Sequence, residues 1–452
     1  MHLHILGIGG TFMSSLAILA RAAGHHITGC DAKCYPPVSD LLAEKGIVWT
    51  EGYDDITDAM QADCVIVGNA IKRGMPVLEA VINARKLYIS GPQWLADNIL
   101  PQYQVLAIAG THGKTTTTAM AIHILQTMNL QPGFLIGGVL PNLNTSACLG
   151  AGTWFVIEAD EYDSAFYDKR PKFMHYRPDI AVLNNLEFDH ADIYPDLAAI
   201  QQQFHYFLRT IPANGVAIKP RDDIALNDVL EKGQYSQMEN TALAGDADWR
   251  AELLDKSGAA FRVWYRGEAV AEVQWDLLGQ FNVENGLMAI AACSHAGVEP
   301  VDAAKALCTF SQVKRRLEIR SITNGVTVYD DFAHHPTAIT KTIAALKNSG
   351  RHQRVLVVLE FASYTMRTGV HASTIHQAIA NADGAYLLAP KFDVKGLPHF
   401  DKAKSQVFST TDAIIDSVTS NVEAGDAILV MSNRGFDNIY QKLEDKLLAG
   451  LN

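Results

Sequence analysis

The chain of 452 residues carries a formal net charge of −12 and is 48% hydrophobic, enough apolar material for about three domains of roughly 150 residues each. The acidic balance argues against nucleic acid or an anionic membrane as the main partner, but leaves room for a small anion held by local amides. No apolar run is long enough to span a bilayer. The start "MHLHILGIGG" lacks a basic leader segment, and the six cysteines form no Cys-x-x-Cys pair. The expectation is a cytoplasmic protein with buried, reduced thiols.

The first hundred residues alternate strand and helix. "HLHILGI" predicts a buried strand, "FMSSLAILARAAG" a helix closed by Gly24, and "HITGCD" the next strand. "DCVIVGNA" and "KLYIS" continue the pattern, which reads as a Rossmann-like unit over 1–102 that ends at the Pro101 break. Its first strand leads into "LGIGGTFMS", with Gly7, Gly9 and Gly10. Phe12 stands where a dinucleotide fingerprint needs its third glycine, which disfavours a dehydrogenase.

A second unit begins with "YQVLAIAGTHGKTTTTAM". A Walker A loop has four residues between its first glycine and Gly-Lys. Here only Thr111 and His112 separate Gly110 from Gly113, Lys114 and Thr115. The context is still that of a phosphate loop, a strand turning into a helix whose N-terminal amides favour an anion. Lys114 can reach terminal phosphates, and Thr115 can offer its hydroxyl to Mg²⁺. Further on, "TWFVIEADEYD" and "DIAVLNNLEFDHAD" read as buried parallel strands that break into acidic residues: Glu158 in the first, Glu187, Asp189 and His190 in the second. Oxygen donors of this kind suit Mg²⁺. "GAAFRVWYRGEAVAEVQWDLLG" predicts an antiparallel appendage, and "NVENGLMAIAACSHAG" a helix.

After "VKRRLE" the alternation restarts, with strands in "GVTVYDDF", "RVLVVLEF", "GAYLLAP" and "DAILVMSN". The fold class is α/β in three domains: a Rossmann-like N-terminal domain (1–102), a P-loop ATPase central domain (103–313) and a Rossmann-like C-terminal domain (314–452). There is no internal repeat and no low-complexity segment.

The shortened loop "GTHGKTT" and the strand ends "EADE" and "NNLEFDH" resemble the Mur ligases, the ATP-dependent amide-bond-forming enzymes of peptidoglycan synthesis, and the resemblance runs the length of the chain. It implies that Gly110, Thr111, His112, Gly113, Lys114, Thr115 and Thr116 cradle ATP, with Mg²⁺ on Thr115, Glu158 and His190. It implies that Asn282 and Asn285 of "GQFNVENGLMAI" hold adenine, and that Arg316 of "KRRLE" touches the nucleotide phosphates. In "VYDDFAHHPTAI" it sets Asp331 towards the nucleotide and His334 towards the substrates, where His334 positions or deprotonates the amine. The first domain would bind a UDP-sugar through Gly7, Gly9, Gly10 and Thr11, with Asp31 and Asn69 nearby.

Details such as "GTFM" and "EADEYD" are similar to the branch of the family that joins the whole tripeptide L-Ala-γ-D-Glu-meso-diaminopimelate to UDP-N-acetylmuramate in peptidoglycan recycling, through an acyl phosphate. The alternatives are a ligase adding free L-alanine and a non-catalytic sensor of ATP and UDP-sugar. Some relatives carry a carbamylated lysine; no lysine lies between Lys172 and Lys219, and His205 occupies the expected place, so none is expected here. Phe281 replaces a histidine common in relatives. Ala362 stands where similar ligases can carry an arginine in Glu-Pro-Arg-Ser. Arg434 to Asn438 stand where they can read Gly-Gly-Phe-Gly-Gly. The expectation is that Arg434 restores from the neighbouring strand end the charge lost at Ala362.

Overall fold

The structure is a computed structural model and describes residues 1–36, 38–389 and 404–449. Three sheets carry the described residues. The first is all parallel, in the spatial order Val48–Glu51, His26–Asp31, His2–Leu6, Cys64–Val67, Tyr88–Ser90. That is the doubly wound order, with a crevice at the switch point beside His2–Leu6. The short edge strand Val48–Glu51 is unforeseen, because none of its residues is fully buried and it lacks a buried apolar run.

The second sheet has ten strands. At its centre Ile180–Leu183, Gln104–Ala109 and Trp154–Glu158 lie side by side in parallel. The loop 110–113, the strand end at Glu158 and the segment after Leu183 therefore emerge at the same edge. The appendage is antiparallel as expected: Trp249–Leu253, Ala260–Tyr265 and Glu268–Gln274 pair in turn and extend this sheet. Successive residues of the central strand serve two cores. Val105, Ala107 and Ala109 face one, Leu106 and Ile108 the other, which is why the strand reads as an unbroken apolar run.

Among the described residues the third sheet has six strands, with Val326–Asp331, Ala427–Met431 and Val355–Glu360 parallel neighbours at its centre. Val355, Val357 and Leu359 pack on one face, Leu356 and Val358 on the other. One expectation about the cysteines fails. Cys30, Cys64 and Cys293 are buried, but Cys148 and Cys308 are exposed, because one ends a strand at the sheet edge and the other caps the helix Pro300–Leu307. No helix among the described residues is long and apolar enough to cross a membrane.

Candidate active site

The helix Lys114–Thr127 starts from Gly113, which has a φ of 80°, and Gly110 has a φ of 134°. Both lie in the region that favours glycine. A Cβ at Gly113 would collide with the carboxamides of Asn285 and Asn184, so the loop closes tightly on the helix behind it. The helix is buried nearly all round, Thr116, Thr117 and Thr118 included, and its first-turn N–H groups lack intrahelical acceptors.

Thr111 and His112 do not present their amides outward. The Thr111 N–H donates to the Asn185 carbonyl at 3.1 Å, and the His112 N–H to Asn185 Oδ1 at 2.8 Å. The Thr111 hydroxyl also receives the Glu187 N–H at 2.9 Å. These residues brace the loop on the adjacent strand end, leaving the first turn of the helix as the anion-facing part.

Lys114 Nζ donates to Glu161 Oε2 at 2.8 Å, and His190 Nε2 lies 2.9 Å from Glu161 Oε1. Burial works against the Lys114 charge, but Glu161 and Asp160 outweigh it and raise its pKa. The same balance raises His190, where burial is overcome by Glu161. Glu161 is 2% exposed and joins two expected site residues, yet sequence reading passed over it within the acidic run "EADEYD". Glu158 stands apart from that pair. Its Oε1 accepts the Thr115 hydroxyl at 3.1 Å and its Oε2 the Gly137 N–H at 2.8 Å. Burial raises the Glu158 pKa, with Lys114 opposing, as for a carboxylate short of a counter-cation. The 3.1 Å between Thr115 Oγ1 and Glu158 Oε1 matches the ~3 Å spacing of adjacent oxygens around Mg²⁺, so these two residues fit that ion. His190 contacts Glu161 instead.

The third domain closes onto this edge. Arg316 is half-buried and reaches Thr115 Oγ1 at 3.4 Å, with its guanidinium over the Phe332 ring. Asp331 is committed locally, accepting the Leu317 and Ala333 N–H groups at 2.8 Å each. His334 Nδ1 lies 2.9 Å from the Phe332 carbonyl. A carbonyl only accepts, so Nδ1 carries the proton and Nε2 is left as a base; burial lowers the His334 pKa. Asp189 accepts the Thr365 hydroxyl at 2.8 Å, a second bond between the domains.

Asn285 is buried beneath the loop, its Oδ1 accepting the Thr117 hydroxyl at 3.2 Å. Asn282 donates to the Leu278 carbonyl at 2.7 Å, and its buried Oδ1 has no partner among the described residues. Phe281 packs against the third-domain core.

In the first domain, Asp31 Oδ2 accepts the Gly9 N–H at 2.8 Å, and a Cβ on Gly9 would press on Asp31 and Cys34. Asp31 thus shapes the loop from behind. Gly10, Thr11 and Asn69 line a cavity of about 210 Å³ that Glu158, Asp160 and Lys172 also line. Gly10 caps the helix Thr11–Ala22, so an anion-favouring helix N-terminus opens into the same space as the Glu158 strand end. Lys172 is the second residue that sequence reading missed. It is 7% exposed, paired with Asp160 at 2.7 Å, and its segment "DKRPKF" reads as an ordinary solvated charge run.

Arg434 is exposed, and its side chain makes no hydrogen bond or ion pair among the described residues; its carbonyl accepts from Arg315 at 2.8 Å. Ala362 is 3% exposed and follows the adjacent strand. Beyond Arg434, Phe436, Asp437 and Asn438 all have positive φ, a strained run for residues that carry a Cβ.

Comparison with known proteins covers the whole chain. Residues 2–103 match the family described as Mur ligase family, catalytic domain, residues 108–293 the Mur ligase middle domain, and residues 315–434 the Mur ligase, glutamate ligase domain. A protein of Escherichia coli K12 named UDP-N-acetylmuramate–L-alanyl-γ-D-glutamyl-meso-2,6-diaminoheptandioate ligase is 49% identical over 451 residues, spanning 99% of this chain and 98% of its own. The protein of that name from Haemophilus influenzae is 46% identical, spanning 99% of each. The crystal structure of a murein peptide ligase from Psychrobacter arcticus is 42% identical, covers 99% of both chains and superposes with a TM-score of 0.76.

Proposed function

The chain belongs to the Mur ligase family, and from that premise we propose that it joins the carboxylate of UDP-N-acetylmuramate to the alanine amine of L-Ala-γ-D-Glu-meso-diaminopimelate. ATP is the energy source, the setting is peptidoglycan recycling, and the compartment is the cytoplasm. The observation that carries this reading is the cavity running from Gly10 and Thr11 to Glu158, beside Thr115 of the phosphate loop. A UDP-sugar held at the first loop directs its muramate carboxylate to the place where a γ-phosphate would lie.

The carboxylate displaces ADP from the γ-phosphorus to give an acyl phosphate; the amine then attacks the acyl carbon, phosphate leaves and the amine loses a proton. Such transfer needs alignment and neutralised charge more than covalent help. Lys114 leaves Glu161 for the phosphates, and Arg316 adds a second cation from the third domain. Thr115 and Glu158 would hold Mg²⁺, with His190 completing the set once Lys114 has moved. When bound, that ion supplies charge neutralisation at the phosphates. Asn282 offers its unpartnered carboxamide oxygen to the adenine amine, and His334 Nε2 takes the proton of the attacking amine. Incubation with ATP, UDP-N-acetylmuramate and tripeptide should yield one ADP and one phosphate per amide formed. ADP formation without a UDP-linked amide product would overturn the reading.

Two residues give finer tests. Lys172 lines the cavity, with its ammonium 5.7 Å from the ring of Phe12 in the first loop and 2.7 Å from Asp160. Lys172→Met should raise KM for UDP-N-acetylmuramate at least tenfold with KM for ATP unchanged, measured by initial rates. An unaltered sugar-nucleotide KM would assign Lys172 to Asp160 alone. Arg434 lies at the carboxyl end of a third-domain strand, where ligands of open α/β sheets bind, and can pair with a peptide carboxylate. Arg434→Ala should raise KM for tripeptide far more than KM for ATP, and Ala362→Arg with Arg434→Gly should recover much of the loss. An unchanged tripeptide KM in Arg434→Ala would refute the replacement.

A further inference from the structure

His112, Glu187 and His335 meet where the middle and third domains touch, and the ligase reading leaves their side chains without a task. His112 Nε2 and His335 Nδ1 each lie 3.2 Å from Glu187 Oε2, and the three donor atoms fall within 4.8 Å of one another. Two imidazole nitrogens and one carboxylate oxygen are a donor set for zinc and its neighbours, whereas Mg²⁺ prefers oxygen alone. With bonds of about 2.0–2.1 Å, a tetrahedral site spaces its ligand atoms roughly 3.3 Å apart. Two of the three separations, at 3.2 Å, are already close to that value, and the third is no more than 4.8 Å.

The protonation state suits a ligand. His335 Nδ1 accepts the Thr337 N–H, so this nitrogen carries a lone pair. The competing contact is a 3.3 Å hydrogen bond from the Thr337 N–H, long enough to be given up at small cost.

We propose that His112, Glu187 and His335 form a zinc-class metal site across the boundary between the middle and third domains, and that the bound ion latches the two domains together. His112 belongs to the phosphate loop and His335 to the third domain, so the full ligand set exists only when the domains are closed. The site is separate from the Thr115–Glu158 pair, which offers oxygen.

The test uses the full chain, treated with chelator, without nucleotide, UDP-sugar or peptide, so its outcome does not depend on the ligase reading. Zn²⁺ is titrated against a chromophoric competitor in the presence of excess Mg²⁺, and melting temperature is followed with and without Zn²⁺. The parent should bind one Zn²⁺ per chain and melt higher when loaded. His335→Gln and Glu187→Gln should each bind at least tenfold more weakly and lose the zinc-dependent rise, while His190→Gln keeps both. Small-angle scattering should show the parent more compact with Zn²⁺. The proposal is overturned if the parent binds no Zn²⁺, if both His335→Gln and Glu187→Gln bind like the parent, or if binding is lost only in His190→Gln.

Discussion

Lys114→Ala should lower kcat by roughly a thousandfold, the scale seen when a preorganised group facing transition-state charge is removed. Lys114 sits at the start of the helix that follows the loop, and its ammonium is held in reserve on Glu161. Replacing it removes the cation that follows the γ-phosphate through transfer, and no nearby group substitutes, since Arg316 approaches from the third domain with its own contacts. The variant also leaves Glu161 with His190 alone. Breaking a buried pair costs up to about 3–5 kcal/mol, and the surviving histidine makes the loss smaller. Binding of UDP-N-acetylmuramate, which does not involve Lys114, is therefore the folding control. Ligation within tenfold of the parent, in a variant that binds the sugar nucleotide, would remove Lys114 from its assigned role.

The second large effect concerns Mg²⁺. Glu158→Ala should raise the Mg²⁺ concentration for half-maximal rate at least tenfold, because it deletes a carboxylate set 3.1 Å from the Thr115 hydroxyl. His190→Ala should raise it less, because His190 has to leave Glu161 before it can serve, and its loss also frees Glu161 to hold Lys114 more tightly. The magnesium titration separates the two readings of Glu158. If it only supports the Gly137 amide, Glu158→Gln should restore the parental magnesium dependence. If it is a ligand, the neutral amide should leave most of the defect in place. Identical titrations for parent, Glu158→Ala and His190→Ala would put the ion elsewhere.

The phosphate loop was legible because backbone conformation demanded particular residues. Gly110 and Gly113 lie at φ values that favour glycine, in a strand-to-helix turn that hydrophobic patterning marks on both sides. Glu158 was legible because it ends a buried strand, and the parallel order of the central strands brings it beside the loop. Other parts depended on contacts that no local pattern encodes. Glu161 sits three residues past Glu158 in a run of acids, and only the fold shows that it is the buried one. Asn285 repeats at helical spacing from Asn282, yet the helix turns it under the loop. Thr111 and His112 were expected to cradle ATP, but the next strand end claims their amides. His335 stands beside His334 in sequence, while its partners His112 and Glu187 lie in another domain.

The identity of the acceptor separates a tripeptide ligase from an alanine-adding one. With saturating ATP and UDP-N-acetylmuramate, phosphate release and amide product are measured against L-Ala-γ-D-Glu-meso-diaminopimelate and against L-alanine. The kcat/KM for the tripeptide should exceed that for L-alanine by at least a hundredfold, with one phosphate per amide. Equal or better use of L-alanine would make this an alanine-adding ligase, and binding of both nucleotides without product from either acceptor would contradict the assignment of ligase activity.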